Sequence, residues 1–163
     1  MMRNKPQTLA AIILAISAAT IAGAWLYEAL GYLPCELCYK ERIPYYVAFA
    51  LAPLAGFAAK SGRAGFAVAA FWLLALLFAG NAALSVYHSG VEWKIFAGPS
   101  DCSGAVGPAG SMADFMKQLQ TVKVVRCDEP SLYVLGRTLA NWNVLVAAAL
   151  AALSIVGARR VSP

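Results

Sequence analysis

Two cysteines three positions apart, in the run Pro34-Cys35-Glu36-Leu37-Cys38-Tyr39-Lys40-Glu41-Arg42, are the residues of this chain best equipped for chemistry. The thiolate is the reactive form of cysteine, and two thiols held this close open and close a disulfide by exchange. Bridging so short a loop restricts little of the unfolded chain, so a purely structural bond here gains little. Positive charge and a helix amino terminus both favour the thiolate. A helix beginning near Cys38 would put unpaired amides at its sulfur, with Arg42 at i+4 on the same face. Lys40 adds charge nearby, and Glu36 and Glu41 offset some of it. Arg42 also has a plainer reading, as an interfacial anchor at a helix end.

The other two cysteines, Cys102 and Cys127, are 25 positions apart in a loop that carries Gly98-Pro99, Gly104, Gly107-Pro108 and Gly110. A bridge between them would restrict a long segment, which suits a disulfide that holds shape.

A membrane must position these residues. The chain of 163 residues is 61% hydrophobic and 13% charged, too apolar to hide its surface inside one soluble core. Uncharged stretches run from Pro6 to Tyr27, Ile43 to Ala59, Ala64 to Tyr87 and Thr138 to Ala158. Each approaches the roughly 20 residues that a spanning helix needs. They place spans at 8–29, 43–59, 64–87 and 138–158 of a single domain, 1–163. The expected fold is an all-α membrane protein, a four-transmembrane-helix bundle. Pro44 is expected in the first turn of span two, where its missing amide is harmless, and Pro53 at a kink.

Charge sets the orientation. Arg3, Lys5, Lys60, Arg63, Arg159 and Arg160 flank the spans on one side, where no acid lies, and the positive-inside rule makes that side cytoplasmic. Both termini are then cytoplasmic, and the cysteine-bearing loops, 31–42 and 89–137, face outward. The net charge of +5 thus reports topology and gives no reason to expect nucleic acid. Arg3 and Lys5 before an apolar run ending at Ala22-Gly23-Ala24 also allow a cleaved secretory signal, but the run exceeds the usual h-region of about 7–15 residues. Ser111-Met112-Ala113-Asp114 has a capping-box pattern, and Met112, Phe115, Met116 and Leu119 follow helical spacing. A short amphipathic helix is expected there, lying in the membrane surface. Glu28, Asn81, Asn141 and Asn143 are expected to hydrogen-bond between helices.

A Cys₄ zinc site can be drawn from the four cysteines, yet Cys102 and Cys127 lack the close spacing of a zinc knuckle and the outer side disfavours free thiols. No metal is expected. Because no cysteine lies inside a span, thiols cannot relay electrons across the bilayer. The pair at the mouth of span two must discharge to something that reaches it sideways, and a lipid-soluble quinone is the natural acceptor. His88, the one histidine, stands at the same depth in Tyr87-His88-Ser89-Gly90. It is either a satisfied structural residue or a group that donates to a quinone carbonyl or takes up a proton.

The run from Pro34 to Arg42 resembles the first outer loop of the disulfide bond formation protein B (DsbB) family. The resemblance extends to four spans, a second cysteine pair before span four, Leu135-Gly136, and Ala140-Asn141-Trp142-Asn143 opening that span. It implies a membrane thiol oxidase that reoxidises a periplasmic, thioredoxin-like donor of the DsbA type in the bacterial inner membrane. The donor would attack a Cys102–Cys127 disulfide, through a mixed disulfide with Cys102. Electrons would pass by exchange to Cys35 and Cys38, and Cys38 would make a charge-transfer contact with ubiquinone or menaquinone, assisted by Arg42. The family also places a histidine near the quinone, and His88 fills that position. Tyr87-His88-Ser89-Gly90-Val91-Glu92 looks like one branch of the family, some of whose members serve a dedicated donor. A vitamin K epoxide reductase-like oxidase has the two cysteine pairs in reversed order. A non-enzymatic scaffold or small transporter with two structural disulfides is the remaining reading.

Overall fold

The computed structural model describes residues 5–99, 111–113, 116, 125–130 and 132–161. Four helices carry the fold: α1 (Lys5–Ala29), α2 (Glu36–Lys60), α3 (Ala64–Glu92) and α4 (Leu139–Val161). Each is long and apolar enough to cross a membrane, so the four-helix membrane bundle expected from composition is the observed architecture. Between α3 and α4 stand the two-residue strands β1 (Tyr133–Val134) and β2 (Arg137–Thr138), an antiparallel hairpin that the all-α expectation did not include. Its turn, Leu135-Gly136, has positive φ at both positions (50° and 75°), the twist that two-residue hairpins require. Trp142 Nε1 donates to the Val134 carbonyl (2.9 Å), seating the hairpin on α4.

Lipid gives helices no hydrophobic reason to associate, so they pack through close, complementary surfaces with small residues at the contacts. Ala48, Ala52 and Ala55 of α2 are fully buried at helical spacing, and Leu54 and Phe57 of the same helix are exposed. Phe71, Leu74 and Phe78 of α3 fill the centre with Tyr45, Ile13 and Leu150. Gly157 lets α4 close over Phe71: a Cβ there would stand 2.5 Å from the ring. The α3–α4 contact is the most extensive and the α1–α4 contact the least among the major helix pairs.

Two helix ends differ from the expected spans by more than one turn. α2 starts at Glu36, about two turns before Ile43, because Cys35 caps it. Pro44 is therefore inside the helix rather than in its first turn, and Lys40 lacks the amide its carbonyl would otherwise meet four residues on. α3 runs on to Glu92, carrying His88 within the helix. Beyond it the chain folds back, with the Gly90 carbonyl accepting from the amides of Ile95 (2.8 Å) and Phe96 (3.2 Å). Gly90 is required there, since a Cβ would meet the Phe96 ring at 2.2 Å. Of the amphipathic segment, Met112, Ala113 and Met116 are helical and both methionines are exposed, while Asp114, Phe115 and Leu119 lie outside the described residues.

Candidate functional site

Cys35 has extended backbone (φ −80°, ψ 172°) and is the N-cap of α2, its sulfur accepting the Cys38 amide at 3.3 Å. The freed amide of the first turn thus points at Cys35, where the sequence placed it at Cys38. Both thiols are free, and their Sγ atoms lie 2.8 Å apart. From α3, buried His88 brings Nε2 to 3.5 Å from Cys35 Sγ.

The imidazole is held from behind. Its Nδ1 donates to Glu41 Oε1 at 2.9 Å, and Glu41 Oε2 accepts from Asn143 Nδ2 at 3.0 Å. Asn143 Nδ2 also reaches Ser85 Oγ (2.7 Å), and its Oδ1 accepts from the Tyr45 hydroxyl. Glu41 is only 6% exposed, so a carboxylate at this depth must have such partners. Glu92 Oε1 stands 4.0 Å from His88 Nε2, and Glu92 Oε2 accepts from the Thr138 hydroxyl (2.6 Å), which itself caps α4 by taking the Asn141 amide at 3.2 Å. One polar network thereby ties α2, α3 and α4 to the cysteine pair.

The hydrogen bond from the Cys38 thiol acts most strongly on Cys35; burial opposes it, and the hydrogen bond and positive charge of His88 and the Cys38 amide reinforce it, so the Cys35 thiol is pushed down to about 5. Of the two sulfurs, Cys35 is the one whose surroundings favour the thiolate, with Cys38 placed to donate to it.

Cys127 is buried and disulfide-bonded, and it packs with Cys35, Leu37 and Val91 in one apolar cluster. Cys35, Cys38, His88, Glu92 and Cys127 share the wall of a cavity of about 30 Å³. Beside Cys127, Arg126 grips Asp128 at 2.8 and 2.9 Å and holds its carboxyl below the usual range. A larger cavity of about 220 Å³ lies on the other side of Cys38, among α1, α2 and α4, walled by Tyr27, Tyr45, Trp142, Val146, Arg42 and Asn143. Cys38 borders both cavities. Cys35 and His88 border only the smaller of these two.

Most of the residues singled out in the sequence come together here, with different neighbours. Arg42 lines the larger cavity with Cys38, but its guanidinium donates to Glu28 Oε2 (2.8 Å) and lies 5.1 Å from the Tyr39 ring centre. His88 sits against Cys35 rather than in the larger cavity. Cys102 lies outside the described residues. Glu28 and Asn143 do bond between helices, whereas Asn141 bonds locally to Thr138. Glu41 is the residue that sequence reasoning missed, having been read only as a charge offsetting Lys40 and Arg42. The available signal was an acid on the span side of the cysteine pair, in a bundle with a single histidine: an ionisable group at that depth needs a partner.

The model of a family described as disulfide bond formation protein DsbB matches residues 6–157. A relative called disulfide bond formation protein B, from Verminephrobacter eiseniae (strain EF01-2), is 27% identical over 172 aligned positions that cover 99% of this chain and 94% of the relative. No solved structure matches the chain significantly.

Proposed function

The chain belongs to the DsbB family of disulfide bond formation proteins, and from that premise we propose that it is a thiol:quinone oxidoreductase that reoxidises a DsbA-type, thioredoxin-like dithiol protein. Family membership makes it a multi-pass membrane protein of disulfide bond formation; the donor, the acceptor and the residue roles are our reading. The observation that carries it is the placement of Cys38 between two cavities, one shared with Cys127 and one apolar.

The larger cavity suits a quinone by its donor set: aromatic and aliphatic walls for a planar apolar ring, and the guanidinium of Arg42 and amide of Asn143 for its carbonyl oxygens. Bound there, a quinone would supply an acceptor for two electrons and two protons. The reduced donor attacks the Cys102–Cys127 disulfide, forming a mixed disulfide with Cys102 and releasing Cys127 as thiolate. Cys127 then attacks Cys35, whose apolar cluster it shares, and Cys38 leaves as thiolate at the wall of the larger cavity. Release of oxidised donor restores the Cys102–Cys127 bond and leaves Cys35 and Cys38 reduced. The Cys35 thiolate, 2.8 Å from Cys38, closes the new S–S bond as the electron pair departs through Cys38. Glu41 orients the His88 ring so that Nε2 faces Cys35.

The six bases that flank the spans on one side support a bacterial inner-membrane location with cytoplasmic termini and periplasmic cysteine loops. A scaffold with two structural disulfides is disfavoured by the buried His88–Glu41 pair set against Cys35, which a purely structural bridge has no need of. The deciding experiment is anaerobic mixing of the purified protein with reduced DsbA-type donor and ubiquinone or menaquinone, following quinone absorbance. One quinol should form per donor disulfide, and Cys35→Ser should abolish it. Undiminished turnover in that variant would refute the reading.

A further inference from the structure

We propose that the reduced pair Cys35 and Cys38, together with His88, is a binding site for a thiophilic d¹⁰ divalent cation, zinc in the first instance, which locks the dithiol in its reduced form. Two Sγ atoms and one imidazole nitrogen, all within 4.8 Å of one another, converge from two helices. Zinc takes sulfur at about 2.3 Å and imidazole nitrogen at about 2.0–2.1 Å in tetrahedral geometry, which fixes the S···N edge at about 3.5 Å and the S···S edge at about 3.8 Å. Cys35 Sγ to His88 Nε2 is 3.5 Å already. The two sulfurs, now 2.8 Å apart, would part by about 1 Å. Cys38 has room for that movement, since it borders a cavity on each side.

The surroundings match those of a built metal site. A ligating histidine characteristically donates its other nitrogen to a carboxylate, which fixes the ring and raises its basicity. Glu41 already does this at Nδ1, at 2.9 Å, with its own second oxygen held by Asn143. Glu92 stands outside this triad, its Oε1 4.0 Å from Nε2, so the fourth position falls to water.

The step is an exchange of cation for protons: Cys38 and the Nε2 of His88 each give up one, the Cys35 thiolate gives none, two metal–sulfur bonds and one metal–nitrogen bond form, and no electrons move. Closing the Cys35–Cys38 disulfide removes both thiolates, so metal binding and disulfide formation exclude each other. Arrest of turnover by zinc follows from the oxidase reading; the binding itself does not depend on it.

The test uses the full chain carrying Cys102→Ala and Cys127→Ala, solubilised, reduced and freed of reductant, then equilibrated with zinc chloride or with cadmium chloride as an optical probe. The reduced protein should hold one cation per chain, show a sulfur-to-cadmium charge-transfer band, and resist alkylation at Cys35 and Cys38. After thiol oxidation it should hold none. His88→Ala should weaken binding at least tenfold, and Glu41→Gln by about 10- to 100-fold. His88 is buried and its removal can disturb folding, so the comparison of redox states in the chain with His88 intact is decisive. Equal uptake by the reduced and oxidised forms overturns the site. Full turnover by the wild-type chain without zinc binding by its reduced pair also overturns it and leaves the oxidase reading standing; zinc bound as described, with no turnover by the wild-type chain, refutes the oxidase reading alone.

Discussion

At Cys35 several small effects converge on one sulfur: a thiol donor from Cys38, the imidazole of His88, and a backbone amide at the start of α2. An ordinary cysteine gives up its proton near pH 8.5, whereas here the thiol is pushed down to about 5. A stabilised thiolate favours the reduced state, which makes the Cys35–Cys38 disulfide a stronger oxidant by tens of millivolts, on the order needed to draw electrons from a donor. The sign for reactivity is definite: the thiolate exists above its pKa, so alkylation of Cys35 in reduced protein should stay level from neutral pH to about 6 and fall as pH drops through 5. Mass-spectrometric rates against pH measure this. His88→Ala and Glu41→Gln should both move the bend upward, and a bend left in place would remove His88 from the account. The cysteines were legible because their spacing is chemical information in itself. Their neighbours were not, because Glu41 and His88 are 47 positions apart and only packing joins them.

At the scale of helices, α1 and α2 are pinned at their adjoining ends by Arg42 to Glu28, with Tyr39 donating to the same carboxylate at 3.2 Å. That engagement leaves other guanidinium N–H groups of Arg42 free to face the larger cavity. Arg42→Ala should raise the KM for quinone about tenfold, the worth of one charge-assisted hydrogen bond. Exchange between donor and Cys127 should keep its rate, and rapid-mixing kinetics separate the two. Farther along the bundle, Gly157→Ala would press a methyl to 2.5 Å from the Phe71 ring. Overpacking of that kind costs about 1–3 kcal/mol, so the unfolding midpoint should drop, and adding Phe71→Leu should recover part of it. Hydrophobic length and loop charge sufficed to locate four helices, because the bilayer imposes both. The start of α2 was legible only to within a turn, near Cys38, because a cysteine serving as N-cap looks like part of the loop until its sulfur is seen to take the Cys38 amide.

At the scale of the whole molecule, both cavities border Cys38. Cys127 lines the smaller cavity and the larger one lies among α1, α2 and α4, with Cys38 bordering both, so in the proposed reaction donor and acceptor never need to meet. The apolar cavity is built where the bundle is least committed: its walls come from α1, α2 and α4, and the α1–α4 contact is the slightest among the major pairs. Fold and function can therefore be separated there by a single change. Gly23 of α1 lines this cavity, and a Cβ on it would meet nothing within 4 Å. Gly23→Leu replaces the poorest helix former apart from proline with a good one, a gain of up to about 1 kcal/mol, while its side chain fills space that a ring would take. The variant should unfold no more easily than the parent and still exchange disulfides with reduced donor through Cys127 and Cys35. Its KM for quinone should rise at least tenfold. Unchanged quinone kinetics with a correctly folded variant would mean that electrons leave Cys38 by some route other than this cavity.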